Sequence, residues 1–319
     1  MKTAASLLAP LLILITTEGS AFAWGPHGHM LVAAIAWQKL TPPVKAEVTR
    51  LLKENPNYDD WIQGVAAADV DEVAFITAAT WPDFIKGADG YSNDGQHPPS
   101  GSKAGQNIGY DDMLQHRYWH YYDTPFSPDH TKLGKPDRVN ALTQIQKLTA
   151  ALKSSTDDSI RSYDLVWLEH IVGDVHQPLH ATARFDKQDK KGDQGGNLVL
   201  LCTANQAAAG NLKKCKATLH SLWDGLPGSG SDPITVRNQA AGLAAANATA
   251  AANLNPVDWI NESFQSAKVD VYVAPIGIGD GPFTPDAAYR AHGRSVAAER
   301  VALAGARLAN LLNANVTTH

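Results

Sequence analysis

No apolar run in this 319-residue chain is long enough to span a bilayer, which takes about 20 residues. The longest, Leu7 to Ile15, falls well short; no membrane-spanning helix and no membrane partner are expected, a signal anchor being the minor alternative for this segment. Cysteine is nearly absent. Cys202 and Cys215 are the only two, too few for a disulfide framework, and one short-loop bridge is their default pairing in an oxidising compartment, ahead of a metal pair. A basic excess is also missing. Lysine and arginine total 27 against 32 acidic residues, a formal net charge of −5, which excludes a general nucleic-acid binder working through a positive surface. Any nucleic acid must then be met at its phosphates by something other than lysine and arginine. No repeat of fixed period is visible, and only Asn197 to Cys202 reads well as a strand.

What is present starts with a leader-like segment. Lys2 gives a positive start, Leu7 to Ile15 an apolar centre, and Ala21 and Ala23 the small residues of a cleavage site. Residues 1–23 are expected to be a signal peptide, leaving Trp24 as a new N-terminus on a secreted or periplasmic protein. Residues 24–319 suit one domain, and 44% hydrophobic residues suffice for a sizeable core. Helical periodicity predicts helices over 30–40, 137–154, 162–176, 240–254 and 288–313, with an acidic first turn on the second. Pro42-Pro43 should end the first. Long polar loops are expected at 86–107 and 185–196. The predicted fold is mainly α, a single domain with long loops.

Histidine and aspartate carry the chemistry. His170 and Asp174 are four apart, as are His220 and Asp224, so each pair projects from one helix face. Pro178 breaks the helix and is expected to swing His180 back toward the first pair. Asp83 in TWPDF and His120 in YWHYYD sit among aromatic residues that would wall a buried charge. One such pair fits a structural hydrogen bond. Two pairs with further histidines, in an apolar setting, point to cations, because unpaired buried charges are costly. Nitrogen and oxygen ligands suit zinc, with manganese or iron as alternatives.

Six landmarks in order resemble the zinc-dependent single-strand-specific nucleases (nuclease type I), which share a superfamily with the bacterial zinc phospholipases C. They are W-G-x-x-G-H at Trp24, W-x-D at Trp81, W-H-Y at Trp119, H-x2-G-D-x-H-Q-P-L-H at His170, G-G-N at Gly195 and L-H-x2-W-D at Leu219. The resemblance implies a phospholipase C/nuclease-type helical fold with a short β-hairpin, and three zinc ions per chain. One ion would take Asp83, His120, His170 and Asp174; a second Trp24, His29 and a shared Asp174; the third His180, His220 and Asp224. Cleavage after Ala23 would then free the Trp24 amine as a ligand. It further implies hydrolysis of single-stranded DNA and RNA to 5′-phosphorylated products, with 3′-nucleotidase activity on nucleotides.

Asp123 matches a residue that orients water or substrate, its alternative being a turn aspartate before Thr124-Pro125. Tyr121 would stack on a base, or else be core, and Asn197 would contact substrate or only end its loop. Lys86 stands where relatives carry arginine, so a bidentate phosphate contact is lost. His27 and His176 are expected beside the site or at the surface. His97, His116, His130, His292 and His319 receive no role, and a monomer is the default state. A zinc phospholipase C is the alternative enzyme. In that branch the first metal histidine lies further from the tryptophan, and the last carboxylate is usually glutamate.

Overall fold

Pro26 opens the first helix, α1 (Pro26–Lys39); its fixed φ suits a first turn and its missing N–H costs nothing there. The same device recurs at α2 (Pro42–Leu52), so Pro42-Pro43 starts one helix as well as ending another. The computed structural model describes residues 24–317, and the expected signal peptide over 1–23 lies outside them. After α2 come α3 (Tyr58–Ile62), α4 (Val70–Ala78), α5 (Trp81–Phe84), β1 (Thr124–Phe126), α6 (Ala141–Ser154), α7 (Asp158–Asp174), β2 (Thr182–Arg184) and β3 (Leu200–Leu201). The remainder is α8 (Ala204–Ala208), β4 (Ala217–Thr218), α9 (Leu219–Asp224), α10 (Pro233–Ala241), α11 (Ala248–Ala252), α12 (Pro256–Ser266) and α13 (Ala287–Asn315). The fold is mainly α, as the periodicity predicts.

The central element is α7, in which every residue from Arg161 to Asp174 is buried. A helix hydrophobic all round must be wrapped, and α1, α2, α5, α6 and α13 do so. The other long helix, α13, packs along α1 and covers residues 288–313 as expected.

Three expectations need correction. The alanine-rich stretch 240–254 is two helices, because α10 stops at Gly242 and the Asn247 side chain caps α11 through Ala250 N. α6 has no acidic residue in its first turn. Asn140 and Thr143 instead form a reciprocal cap there, which satisfies otherwise orphaned N–H groups. A parallel pair, β1 with β2, aligns Thr124 with Thr182; three-residue strands leave no alternation to read. The antiparallel pair β3–β4 matches the short hairpin, and Cys202 and Cys215 are joined across its connection. Among the described residues, no helix is long and apolar enough to cross a membrane.

Candidate metal centre

The i,i+4 spacing on α7 brings His170 Nε2 within 3.5 Å of Asp174 Oδ2. Helix α1 crosses at Gly173, where an added Cβ would lie 3.0 Å from His29 Nδ1. Glycine therefore lets the His29 ring approach α7, and it stacks on His170 with centroids 3.8 Å apart. His29 Nε2 lies 3.3 Å from Asp174 Oδ1, and His120 Nδ1 lies 3.0 Å from Asp174 Oδ2. The Asp174 carboxylate thus stands between two imidazoles. Asp83, on α5, puts Oδ1 3.6 Å from His170 Nε2 and 3.9 Å from His120 Nδ1. It also holds Lys86 Nζ at 2.6 Å.

The second i,i+4 pair behaves alike, with His220 Nε2 3.6 Å from Asp224 Oδ2 on α9. Pro178 does turn the chain, but His180 goes to this second pair, with Nε2 2.9 Å from His220 Nε2. The reason is local. The segment Pro178–Ala181 forms a tight turn, and Tyr122 N donates to the His180 carbonyl at 2.8 Å as β2 enters its pairing with β1. Gly195 completes the pocket. Its φ of +60° and the Leu179 carbonyl against its Cα exclude a side chain, and its own carbonyl accepts from His220 Nδ1 at 2.7 Å. Trp24 is fully buried. The next residue, Gly25, donates its N–H to the Asp224 carbonyl at 3.0 Å, tying the start of α1 to α9.

Protonation follows from these partners. The Nδ1 atoms of His170, His180 and His220 each lie 2.7 Å from a carbonyl, of Ala79, His120 and Gly195. A carbonyl only accepts, so Nδ1 carries the proton and Nε2 a lone pair. The Nε2 atoms of His180 and His220 therefore face each other as two acceptors, which a cation between them resolves. Burial pushes the His29, His120 and His180 pKa values well down, and His170 to about 3, so protonation is not the remedy. Burial drives the Asp174 and Asp224 carboxyls well above the usual range. His29 Nε2, Asp83 Oδ2, His120 Nε2 and Asp174 Oδ1 are buried without a hydrogen-bond partner. Three triads gather ligand atoms within 4.8 Å: His29/Asp83/His170, His120/His170/Asp174 and His180/His220/Asp224. Neutral imidazoles and carboxylates so disposed fit divalent cations of the zinc kind, which would reverse the carboxyl shifts.

Of these groups His120, His180, His220 and Asp224 line a cleft of about 1040 Å³. Lys86, Tyr121, Asp123 and Asn197 also line it. Tyr121 is half-buried and its hydroxyl donates to the Gln96 carbonyl. Asn197 Nδ2 donates to the Gln194 carbonyl at 2.9 Å, holding the loop while its face stays on the cleft. Burial, with Asp137 and Asp193 near, pushes Asp123 up to about 7.

Residues 24–317 match the S1/P1 nuclease family. The chain belongs to that family. Similar proteins include three of Arabidopsis thaliana. Endonuclease 4 is 23% identical over 237 residues, covering 68% of this chain and 60% of its own. Endonuclease 3 is 25% identical over 229 residues, 68% and 58%, and Endonuclease 5 is 25% identical over 236 residues, 69% and 61%. The aligned part thus spans about three fifths of each relative's length.

Several residues of this family member carry no signal in the sequence that the motifs expose. Gln177, inside the long histidine motif, donates to Asp224 Oδ1 at 2.8 Å and so orients that carboxylate. His176 is fully buried rather than at the surface or the site, bonded to the Val172 carbonyl at 2.7 Å and to Arg307 Nη1 at 3.0 Å. His27 is buried at the cleft wall, and His97 also lines it. His116 is fully buried, with Nε2 2.8 Å from Asp112 and Nδ1 3.2 Å from Asp94, and its ring stacks on Trp119. It pins the 86–118 segment beside His120. Asp112 lies four residues before His116, but Asp94 is brought in by a loop and no spacing signals it.

Burial lowers the His116 pKa, but hydrogen bonds to Asp112 and Asp94 outweigh it and hold the pKa above the usual value. A raised folded pKa stabilises fully below about pH 6.5, the unfolded value, and the gain fades as pH rises through the folded one. The Tm difference between wild type and His116→Asn is therefore expected to be largest at pH 5–6 and to shrink on the alkaline side. A difference that grows with pH would contradict the charged latch.

Proposed function

We propose that this protein is an exported endonuclease that uses three zinc ions to hydrolyse single-stranded DNA and RNA to 5′-phosphorylated products, with accompanying 3′-nucleotidase activity. The carrying observation is the set of three buried His/Asp triads, two of which reach the cleft, one through His120 and the other through His180, His220 and Asp224. Bound there, the ions would supply Lewis acidity and lower the pKa of a water molecule. The ligand set proposed is Asp83, His120, His170, Asp174, His29, Trp24, His180, His220 and Asp224.

The chain's own groups do the rest. Asp174 and Asp83 hold charge in a dry pocket, and the carbonyls behind His170, His180 and His220 fix the ring tautomers. Asp123 accepts a proton from water or positions it, for which a carboxyl near neutrality is suited. Tyr121 offers a ring for a nucleobase, a contact that tolerates any sequence. A base held in a duplex cannot lie flat on that ring, which gives the single-strand preference. Lys86, tied to Asp83, faces the phosphate as a point charge. Phosphates are thus met mainly at the cation cluster, which suits an acidic chain. The protein is proposed to act as a monomer.

Removal of residues 1–23 would free the Trp24 amine beside the cluster, so export would also activate. The test pairs zinc-loaded protein beginning at Trp24 with a form one residue longer, on single-stranded DNA, duplex DNA and phosphatidylcholine. Single-strand cleavage by the first, much reduced in the second, is expected. Equal rates discard the activation step, and phosphatidylcholine hydrolysis alone replaces the nuclease with a phospholipase C.

A further inference from the structure

A second cavity, of about 650 Å³, adjoins the main cleft. The two share His97, Asp123, Gln194 and Leu198 as common lining, so a flexible chain can pass from one to the other beside Asp123. Leu198 is exposed on this shared wall. The inner side is Phe185, whose ring is packed against Gly134; an added Cβ there would lie 2.7 Å from its Cζ. Lys135, Lys190 and Lys191 line the cavity and are exposed. Among the described residues none of the three has an ion-pair partner. Three such cations around one hollow stand out in a chain of net charge −5. Asp123, Asp137 and Asp189 line it as well. Asp137 accepts from His97 Nδ1 at 2.8 Å, and burial together with Asp280 pushes Asp189 up to about 7.

We infer that this cavity is a strand subsite, in which Lys135, Lys190 and Lys191 hold backbone phosphates one or more nucleotides away from the bond being cut, over the apolar surface of Leu198. The inference rests on the nuclease reading above. It makes the enzyme prefer chains over dinucleotides without any contact to base edges, since lysine on phosphate carries no sequence information.

The test compares wild type with Lys190→Glu/Lys191→Glu on a dinucleotide and on a homopolymer of about ten nucleotides. The longer substrate should lose about tenfold or more in kcat/KM, while the dinucleotide stays within about twofold. For the longer substrate, the slope of log kcat/KM against log salt should flatten by roughly one to two. Unchanged dinucleotide turnover also shows that the variant is folded. If both substrates fall together, or the long one is unaffected, the subsite is wrong. If wild type cleaves neither, the nuclease reading fails and the subsite falls with it.

Discussion

Asp174→Asn is expected to cut phosphodiester hydrolysis about a thousandfold, since cation stabilisation of transition-state charge is worth several kcal/mol and each 1.36 kcal/mol is tenfold. Oδ1 of this residue faces His29 and Oδ2 faces His120 and His170, so it stands where the two proposed cation sites would meet. Asparagine keeps the shape and loses the charge. It also aims an amide donor at a position meant for a cation. The side chain is fully buried, and near-constant volume should preserve the fold, which a far-UV spectrum checks. Zinc retained after dialysis should fall with activity. Activity within tenfold of wild type, with full zinc content, would remove Asp174 from the centre.

Chelation should lower the Tm by about 10 °C for each tightly held ion that is removed. An ion held at a thousand times its Kd stabilises by about 4 kcal/mol, and each kcal/mol moves the Tm by about 2–4 °C in a protein of 150–250 residues. The metal-free protein keeps Asp83, Asp174 and Asp224 buried among imidazoles whose lone pairs already face inward. Without cations, burial favours the neutral carboxyls of Asp174 and Asp224. A chelator does not break the Cys202–Cys215 bridge, so the shift reports the centre alone. An unchanged Tm would mean that these groups form a hydrogen-bonded core with no need of cations.

Much of this centre could be read from spacing. His170/Asp174 and His220/Asp224 lie on helices, where four residues make one turn, and in both pairs the side chains meet. What spacing does not carry is how separate elements converge. His180 reaches His220 rather than His170 because the Pro178 turn is fixed by pairing with β1, and strands of three residues have no readable pattern. His29 meets His170 because Gly173 lets two helices close up, a packing relation between distant segments. The ordered motifs point to the family, which the match over 24–317 shows; the ligand set rests on the resemblance. Networks that depend on loop placement, such as Asp94 with His116, or on burial, such as Arg307 with His176, had no local signal. The 240–254 stretch shows the converse error. Alanine gives it uniform helix propensity, yet Gly242 stops one helix and the Asn247 cap starts another.

The central claim is that the three triads hold cations that cut single-stranded nucleic acid. Zinc per chain, counted by native mass spectrometry during stepwise addition to chelated protein, should be measured beside the rate of single-stranded DNA cleavage. Cleavage is predicted to be absent from the stripped protein and to rise with occupancy until three ions are bound. Undiminished cleavage by fully stripped protein, or a chain that binds zinc at none of these sites, would contradict it.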